Sequence, residues 1–534
     1  MKEFEPVIGL EIHVQVKTKT KMFCDSKNDP DEKHPNVNVC EVCLGHPGTL
    51  PVANLEAVKK TILLGMALDC RIANDTFFER KNYFYPDLPK GYQISQYQAP
   101  LCENGVLEIL NSKSEILNNN QTQNSKKIRI RRIHIEEDTG RLLHDPEGKY
   151  SLIDFNRAGI PLLELVTEPD LRSGEEVRNF GSELQMILRY LDISDADMQK
   201  GQLRVEVNIS LRPENPKSNS DSATSRKRLG GTFDEQIQNP NELGSKVELK
   251  NINSFKFAEQ AVNYEIKRQT EILEEGKKVI QETRGWDETR QKTFSQRTKE
   301  EAQDYRYFPE PDILPIKTKD LDLEGIRAKL VELPSQRRER FRKLYNLPEH
   351  NVEVLTVNKQ LGGYFEKAAS ELKEWNKLVH LKKPVVGDEV KLVKLAANYL
   401  ITELAKLLYE RGTGVEEMEH IKITPENFAE FIVRIYHQEV SSSGAQVLLK
   451  EMFETGEDPS VIIEKKDLAQ VSDVEELVVA AKEVIAENPR PVEDYKKGKK
   501  ESLQFLVGLM MKKTRGKANP QVAREILEKE LGRV

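Results

Sequence analysis

Residues 10–17, L-E-I-H-V-Q-V-K, and 202–211, Q-L-R-V-E-V-N-I-S-L, decide the fold. In the first, Leu10, Ile12, Val14 and Val16 point one way and Glu11, His13, Gln15 and Lys17 the other. In the second, Leu203, Val205, Val207, Ile209 and Leu211 oppose Arg204, Glu206, Asn208 and Ser210. A period of two marks a strand with one face on a core and one face free. Residues 246–250 repeat it in short form, with Val247 and Leu249 against Lys246, Glu248 and Lys250. An ordinary free face mixes Thr, Lys, Ser and Glu, whereas these strands offer Glu, His, Arg and Asn. Glu11 and His13 start roughly 6.5 Å apart on one face, close enough to converge on a metal ion.

Helical spacing interrupts the strands. Residues 54–68 carry Val58, Ile62, Leu63 and Met66 on one face, and residues 174–191 carry Val177, Phe180, Leu184, Ile187 and Leu188. Strands interleaved with helices to about residue 320 predict an α+β domain. Beyond Pro315 the pattern is helical throughout. Pro334 opens one helix, Thr424-Pro425 caps an amphipathic one, Leu503, Leu506, Val507 and Met510 form a stripe, and Asn519-Pro520 starts the last. The predicted division is 1–316 for the α+β domain, 317–420 for a helical domain and 421–534 for a helical tail. Two polar stretches, 111–126 and 213–244, read as mobile excursions.

Residues 80–96, R-K-N-Y-F-Y-P-D-L-P-K-G-Y-Q-I-S-Q, read as a rigid binding loop. Pro86 and Pro89 exclude a helix, and Tyr83, Tyr85 and Tyr92, with Tyr97 just beyond, combine a flat apolar body with a hydroxyl. Packing of the same rings in a core is the alternative.

A chain of 534 residues is too long for one core, and no apolar run is long enough to span a bilayer. The opening M-K-E-F-E-P-V-I-G-L is neither a signal nor a transit peptide, which makes the cytoplasm the default. A net charge of −7 argues against indiscriminate nucleic-acid binding. Against that background Lys496, Lys497, Lys499, Lys500, Lys512, Lys513, Arg515 and Lys517 make a local basic patch suited to RNA phosphates, or a solvated helix face. Cys24, Cys40 and Cys43 supply three of the four ligands of a structural zinc site. Asp25, His34 and His46 are the candidates for the fourth; reduced thiols are the alternative.

The acidic turn His134-Ile-Glu136-Glu137-Asp138 and the run Asp154-Phe-Asn156-Arg157-Ala-Gly-Ile-Pro-Leu-Leu-Glu164 join Glu11 and His13 as candidates. Carboxylates with one His suit Mg²⁺ or Mn²⁺, and Lys and Arg neutralise the rest of a triphosphate. No Walker loop is present, so ATP would sit on a sheet face with metals. A metal-dependent hydrolase and a non-catalytic RNA-binding protein are the competing classes.

These motifs resemble the B subunits of the aspartyl/glutamyl-tRNA amidotransferases. The match is collinear through G-L-E-I-H-V-Q (9–15), C-E-V-C-L-G-H-P-G-T-L-P-V (40–52), the tyrosine loop, H-I-E-E-D-T-G-R, D-F-N-R-A-G-I-P-L-L-E, G-Q-L-R-V-E-V-N-I-S-L-R-P, E-L-K-N-I-N-S-F, Q-E-T-R-G-W-D-E and D-Y-R-Y-F-P-E-P-D (304–312). The resemblance implies a glutamine-synthetase-like cradle on an antiparallel sheet, then all-α helical and tail domains that hold tRNA. It implies a carbon–nitrogen ligase with glutamine as amido donor, working as a heterotrimer. ATP phosphorylates the side-chain carboxylate of Glu-tRNA(Gln) or Asp-tRNA(Asn), and ammonia from a partner amidase, the A subunit, displaces the phosphate, while a small C subunit braces the pair. By position it makes Glu11, His13, Glu137 and Glu164 the Mg²⁺ and channel-mouth residues, with Glu136 and Lys81 catalytic. Lys81, Tyr83, Arg204, Glu206, Asn208, Glu248 and Lys250 are the residues expected around the nucleotide. The chain departs from the family at Glu206, where many members carry Asp, at Gln199-Lys200, where an acidic pair is frequent, and at Ser26, where a further Cys is frequent.

Overall fold

The computed structural model describes residues 4–110, 125–213, 244–298, 306–379, 388–469, 474–514 and 518–532. Nearly all of both polar excursions, and Arg515 and Lys517 of the basic patch, lie outside them.

The alternating stretches are the centre of a nine-stranded sheet. Its strands are β1 (Phe4–Gln15), β2 (Arg71–Ile72), β3 (Cys102–Leu110), β4 (Ser125–Glu137), β5 (Pro161–Thr167), β6 (Leu203–Pro213), β7 (Val247–Ile252), β8 (Glu282–Asp287) and β9 (Lys292–Thr298). They lie in the order β9-β8-β7-β6-β1-β5-β4-β3-β2, antiparallel except for the β7–β8 pair. This is an α+β unit with an antiparallel-rich sheet. One face is the core: Leu10, Ile12, Val14, Leu203, Val205, Val207, Ile209, Leu163 and Leu165 are all buried there. Three helices cover that face: α1 (Leu55–Ala67), α2 (Gly174–Tyr190) and α3 (Phe255–Glu274). Each starts on a side-chain cap, Asn54, Ser173 and Ser254 respectively, which satisfies N–H groups that a helix start otherwise leaves unpaired.

The tyrosine loop is a hairpin. Glu79–Asn82 pairs with Tyr92–Ser95 on one side and with Arg306–Pro309 on the other. Strand pairing therefore enters where the sequence reads as loop, because the two prolines fall in the connection and leave the paired ends free to donate. In that connection Phe84 and Tyr85 are exposed and Leu88 is buried.

Residues 1–333 form one compact unit and residues 334–534 a second. The second contains two apolar cores. One gathers residues from Phe341 to Ile463, so a boundary at 420 falls inside it; the other runs from Leu477 to Leu531. Helix starts follow the sequence signals: Thr424 Oγ1 accepts the Asn427 N–H at 3.1 Å, and Asn519 Oδ1 accepts that of Gln521 at 2.8 Å. No helix among the described residues is long and apolar enough to cross a membrane.

Candidate active site

The free face of the sheet carries the chemistry, and strand register explains how. His134 of β4 stands opposite Glu164 of β5, Glu164 opposite His13 of β1, and His13 opposite Arg204 of β6. Four residues distant in sequence thus form one row across four strands. Glu11 faces Glu206 in the next row. Above these rows lies a cavity of about 680 Å³, lined by Glu11, His13, Lys81, Tyr83, Glu136, Arg204, Glu206, Glu248 and Lys250 among others. Most of the residues expected from the sequence are brought together there.

Glu164 is buried beneath the cavity, 3.4 Å from both His13 Nε2 and His134 Nε2 and 3.8 Å from Arg132. Burial alone would raise its carboxyl, but the two imidazoles more than offset this and hold it well below the usual range. Reciprocally, burial pulls His134 down, and Glu164 and Glu136 outweigh it, raising it to about 9. At Glu11 the opposing charges of His13 and Lys250 fall short. Burial, then the charges of Glu164 and Glu206, raise it to about 7. Burial disfavours the Lys81 ammonium, yet Glu136 keeps it charged. Lys250 pairs with Glu206 at 2.8 Å.

Two overlapping triads have ligand atoms within 4.8 Å of one another: Glu11, His13 and Glu164, and His134, Glu136 and Glu164. Carboxylates with imidazole form a donor set for a hard divalent cation that keeps water ligands. The buried Nδ1 of His134 has no hydrogen-bond partner in the structure. The residues present fit Mg²⁺ or Mn²⁺.

Two expected residues stand elsewhere. Glu137 is separated from the cluster: it shares its side of β4 with buried Ile133 and Ile135, and both its oxygens lie 2.5 Å from Lys90 Nζ, with a third bond from the Ile94 N–H at 3.0 Å. This is a buried ion pair on the core side. Asn208 is on the correct face, but it lines a separate recess toward Gly9 and Lys246. His134, Asp138 and Gln15 join the site beyond the residues to which the sequence assigns roles. His134 has a signal, its two-residue spacing from Glu136. Asp138 belongs to the same acidic turn, but nothing in the sequence orients its carboxylate, because its place depends on the turn after β4. Burial raises the Asp138 carboxyl, but Arg204 and Arg157 draw it down to about 2.

The sulfur atoms of Cys24, Cys40 and Cys43 also lie within 4.8 Å of one another. No fourth Cys, His, Asp or Glu joins them among the described residues. His34 is exposed and pairs with Glu32. Ser26 Oγ is 3.8 Å from Cys43 Sγ, and the buried Lys21 ammonium stands at the same distance. The site thus offers zinc three ligands and a neighbouring cation, one ligand short of a structural set.

In the second unit, Lys496, Lys497, Lys499, Lys500, Lys512 and Lys513 are all exposed. Three are neutralised: Lys497 by Glu493, Lys499 by Asp494, and Lys513 by Glu483 and Glu487. The patch is therefore less basic than its sequence suggests.

A family model for the GatB/GatE catalytic domain matches residues 6–324, and one for the GatB domain matches residues 385–531. The chain belongs to the GatB family. The aspartyl/glutamyl-tRNA(Asn/Gln) amidotransferase B subunit of Caldicellulosiruptor saccharolyticus is 45% identical over 532 residues, covering 100% of both chains. The proteins of the same name from Thermoanaerobacter pseudethanolicus and Persephonella marina are 45% and 44% identical, each over 99% of this chain and 100% of their own. The row of His134, Glu164, His13 and Arg204 falls within the stretch matched by the GatB/GatE catalytic domain.

Proposed function

We propose that this chain is the carboxylate-activating member of a tRNA-dependent amidotransferase. Its sheet is a glutamine-synthetase-like cradle in which ATP phosphorylates the side-chain carboxylate of Glu-tRNA(Gln) or Asp-tRNA(Asn), and ammonia then displaces the phosphate. The names of its relatives support the substrate class and the existence of partner subunits, here an amidase and a small bracing protein. The observation that carries the reading is the acidic and imidazole row beside Lys81, Arg204 and Lys250, on a face with no phosphate-binding glycine loop.

A carboxylate is a poor acyl donor and an acyl phosphate a good one, so the protein's task is positioning and charge cancellation. Glu11, His13 and Glu164, or His134, Glu136 and Glu164, would hold a divalent cation, which supplies charge neutralisation between phosphate oxygens when bound. Lys81, Lys250 and Arg204 meet the remaining phosphate charge. The half-buried cavity limits the water that would otherwise hydrolyse the activated acyl group.

The test is ATP turnover by the chain with its amidase and small partner proteins in Mg²⁺. Turnover that requires mischarged tRNA and is lost in His13→Ala supports the reading. Binding of tRNA with no ATP use in any combination would favour a non-catalytic role, and hydrolysis without ATP or partners a metal-dependent hydrolase.

A further inference from the structure

Away from the sheet cavity, Cys24, Cys40 and Cys43 form a cluster of free thiols. The backbone explains why two of them meet. The Leu44 N–H donates to the Cys40 carbonyl at 3.0 Å and the His46 N–H to that of Glu41 at 2.9 Å, which winds one helix-like turn and brings positions 40 and 43 to the same side. Cys40 Sγ and Cys43 Sγ stand 3.9 Å apart. A disulfide bond is about 2 Å long, so closing one here takes a movement of roughly 2 Å within a single turn. With three ligands rather than four, the cluster lacks the closed set by which structural zinc holds thiolates, and its sulfur atoms stay open to oxidation.

The two thiols of the turn have different surroundings. Cys43 is buried; its sulfur accepts the Cys40 N–H at 3.1 Å and faces the Lys21 ammonium at 3.8 Å. Lys21 is 0% exposed and is anchored on its other side by the Phe155 carbonyl at 3.2 Å. An ammonium and an N–H directed at one sulfur make it the better nucleophile. Cys40 is half-buried, so it is the thiol of the pair that meets a small oxidant from solution.

We propose that Cys40 and Cys43 are a site of reversible oxidation by peroxide. The Cys40 sulfur attacks one oxygen of hydrogen peroxide, the O–O bond breaks, and water leaves, so that Cys40 becomes a sulfenic acid. Cys43 then attacks Cys40 Sγ. The S–S bond forms, the S–O bond breaks, and the hydroxyl departs with the Cys43 proton as a second water. Two thiols and one peroxide thus give one disulfide and two waters, and a dithiol reductant restores the pair. The consequence extends past the turn. Gly45 packs so closely on Lys90 that a Cβ there would stand 2.7 Å from Lys90 Cγ, and Lys90 is the cation that holds the buried Glu137 carboxylate. Closing the turn moves that contact and loosens the ion pair.

The experiment treats the full chain, in chelator, with a modest excess of hydrogen peroxide, then counts free thiols and maps disulfides without reduction. The five thiols should fall to three, and dithiothreitol should return them to five. A glutamate-specific protease cuts after Glu41, between the two cysteines, so their fragments should stay joined until the reductant is added. Cys24→Ala should form the same link. Cys43→Ala should stop at the Cys40 sulfenic acid, trapped as its dimedone adduct. An amine-reactive ester should label Lys90 faster in the oxidised chain than in the reduced one. The wild-type map carries the assignment even where a variant fails to fold. A link made through Cys24, or five thiols that survive a peroxide dose sufficient to oxidise free cysteine, would overturn the proposal. Equal labelling of Lys90 in the two forms would overturn its extension to the Glu137 ion pair.

Discussion

Glu164→Gln probes the electrostatics of the row directly. Glu164 is buried between two imidazoles, and the charge it shares with Glu136 raises His134 from 6.5 to about 9. At ~1.36 kcal/mol per pH unit this rise corresponds to about 3 kcal/mol. His134 is 2% exposed, so solvent screening removes little of it. A group whose folded value lies above its unfolded value stabilises the fold fully below the unfolded value and loses that stabilisation as pH rises through the folded one. The window is therefore pH 6.5 to about 9. Glu164 acts on His134 both by charge and by hydrogen bond, so Gln should remove more than half of the effect, roughly 2 kcal/mol. Glu11 acts in the same direction, since the buried carboxyl must ionise as pH rises through about 7 and Glu164 contributes to that cost. The assay is the melting temperature of the 1–333 unit within the full chain, followed from pH 6 to 10 in chelator so that no cation competes for the histidines. Wild type should lose roughly 3–6 °C across the window, and the variant less than half as much. Equal pH slopes in the two proteins would refute the proposed coupling.

Other residues give independent tests. Lys90→Met should leave the Glu137 carboxylate buried without its cation and cost about 3–5 kcal/mol in chemical denaturation, and the Lys90→Met/Glu137→Met double variant should recover most of it; a neutral Lys90→Met would mean that the ion pair is not formed. Ser26→Cys should complete the tetrahedral set begun by Cys24, Cys40 and Cys43 and tighten zinc at least ten-fold in a chromophoric-chelator competition. Unchanged affinity would show that Ser26 does not face the shared centre. Mg²⁺ added at pH 6.5 to the unbuffered chain should release protons, because Glu11, raised to about 7, must ionise to bind it. His13, whose imidazole burial lowers and the Glu164 carboxylate raises more strongly, must also lose its proton to bind the cation, so Glu11→Gln should lower that release without abolishing it in a pH-stat measurement; a release equal to wild type would contradict the role of Glu11.

Much of the first unit was legible because its strands alternate strictly. Leu10 to Val16 and Leu203 to Leu211 each declare a core face, and the opposite face is then the site. Alternation is a poorer guide at β4. Ile128 and Ile130 are buried, and so are Ile133 and Ile135, although the two pairs differ in parity. The register shift between Val166 and Thr167, where Arg132 and Ile130 are successive partners, leaves Arg131 as an extra residue and turns the strand over. Glu136 rather than Glu137 therefore faces the cavity. The parity of Ile133 and Ile135 carried that information, but a motif of adjacent acids conceals it. The cysteine cluster was legible as three ligands, while the position of Lys21 beside Cys43 depends on the loop around Gly159 and has no local signature. In the second unit, caps at Thr424 and Asn519 announced the helices, whereas the carboxylates that neutralise Lys513 come from Glu483 and Glu487, some thirty residues earlier.

The proposed function turns on phosphorylation of the substrate carboxylate in the cavity. Glu-tRNA(Gln) carrying oxygen-18 in the side-chain carboxylate, incubated with the complex, ATP, Mg²⁺ and ammonia, tests it in one step. Carboxylate activation predicts that one labelled oxygen appears in the inorganic phosphate for each amide formed, and that His13→Ala suppresses both products together. Amide formation that leaves the phosphate unlabelled would contradict it.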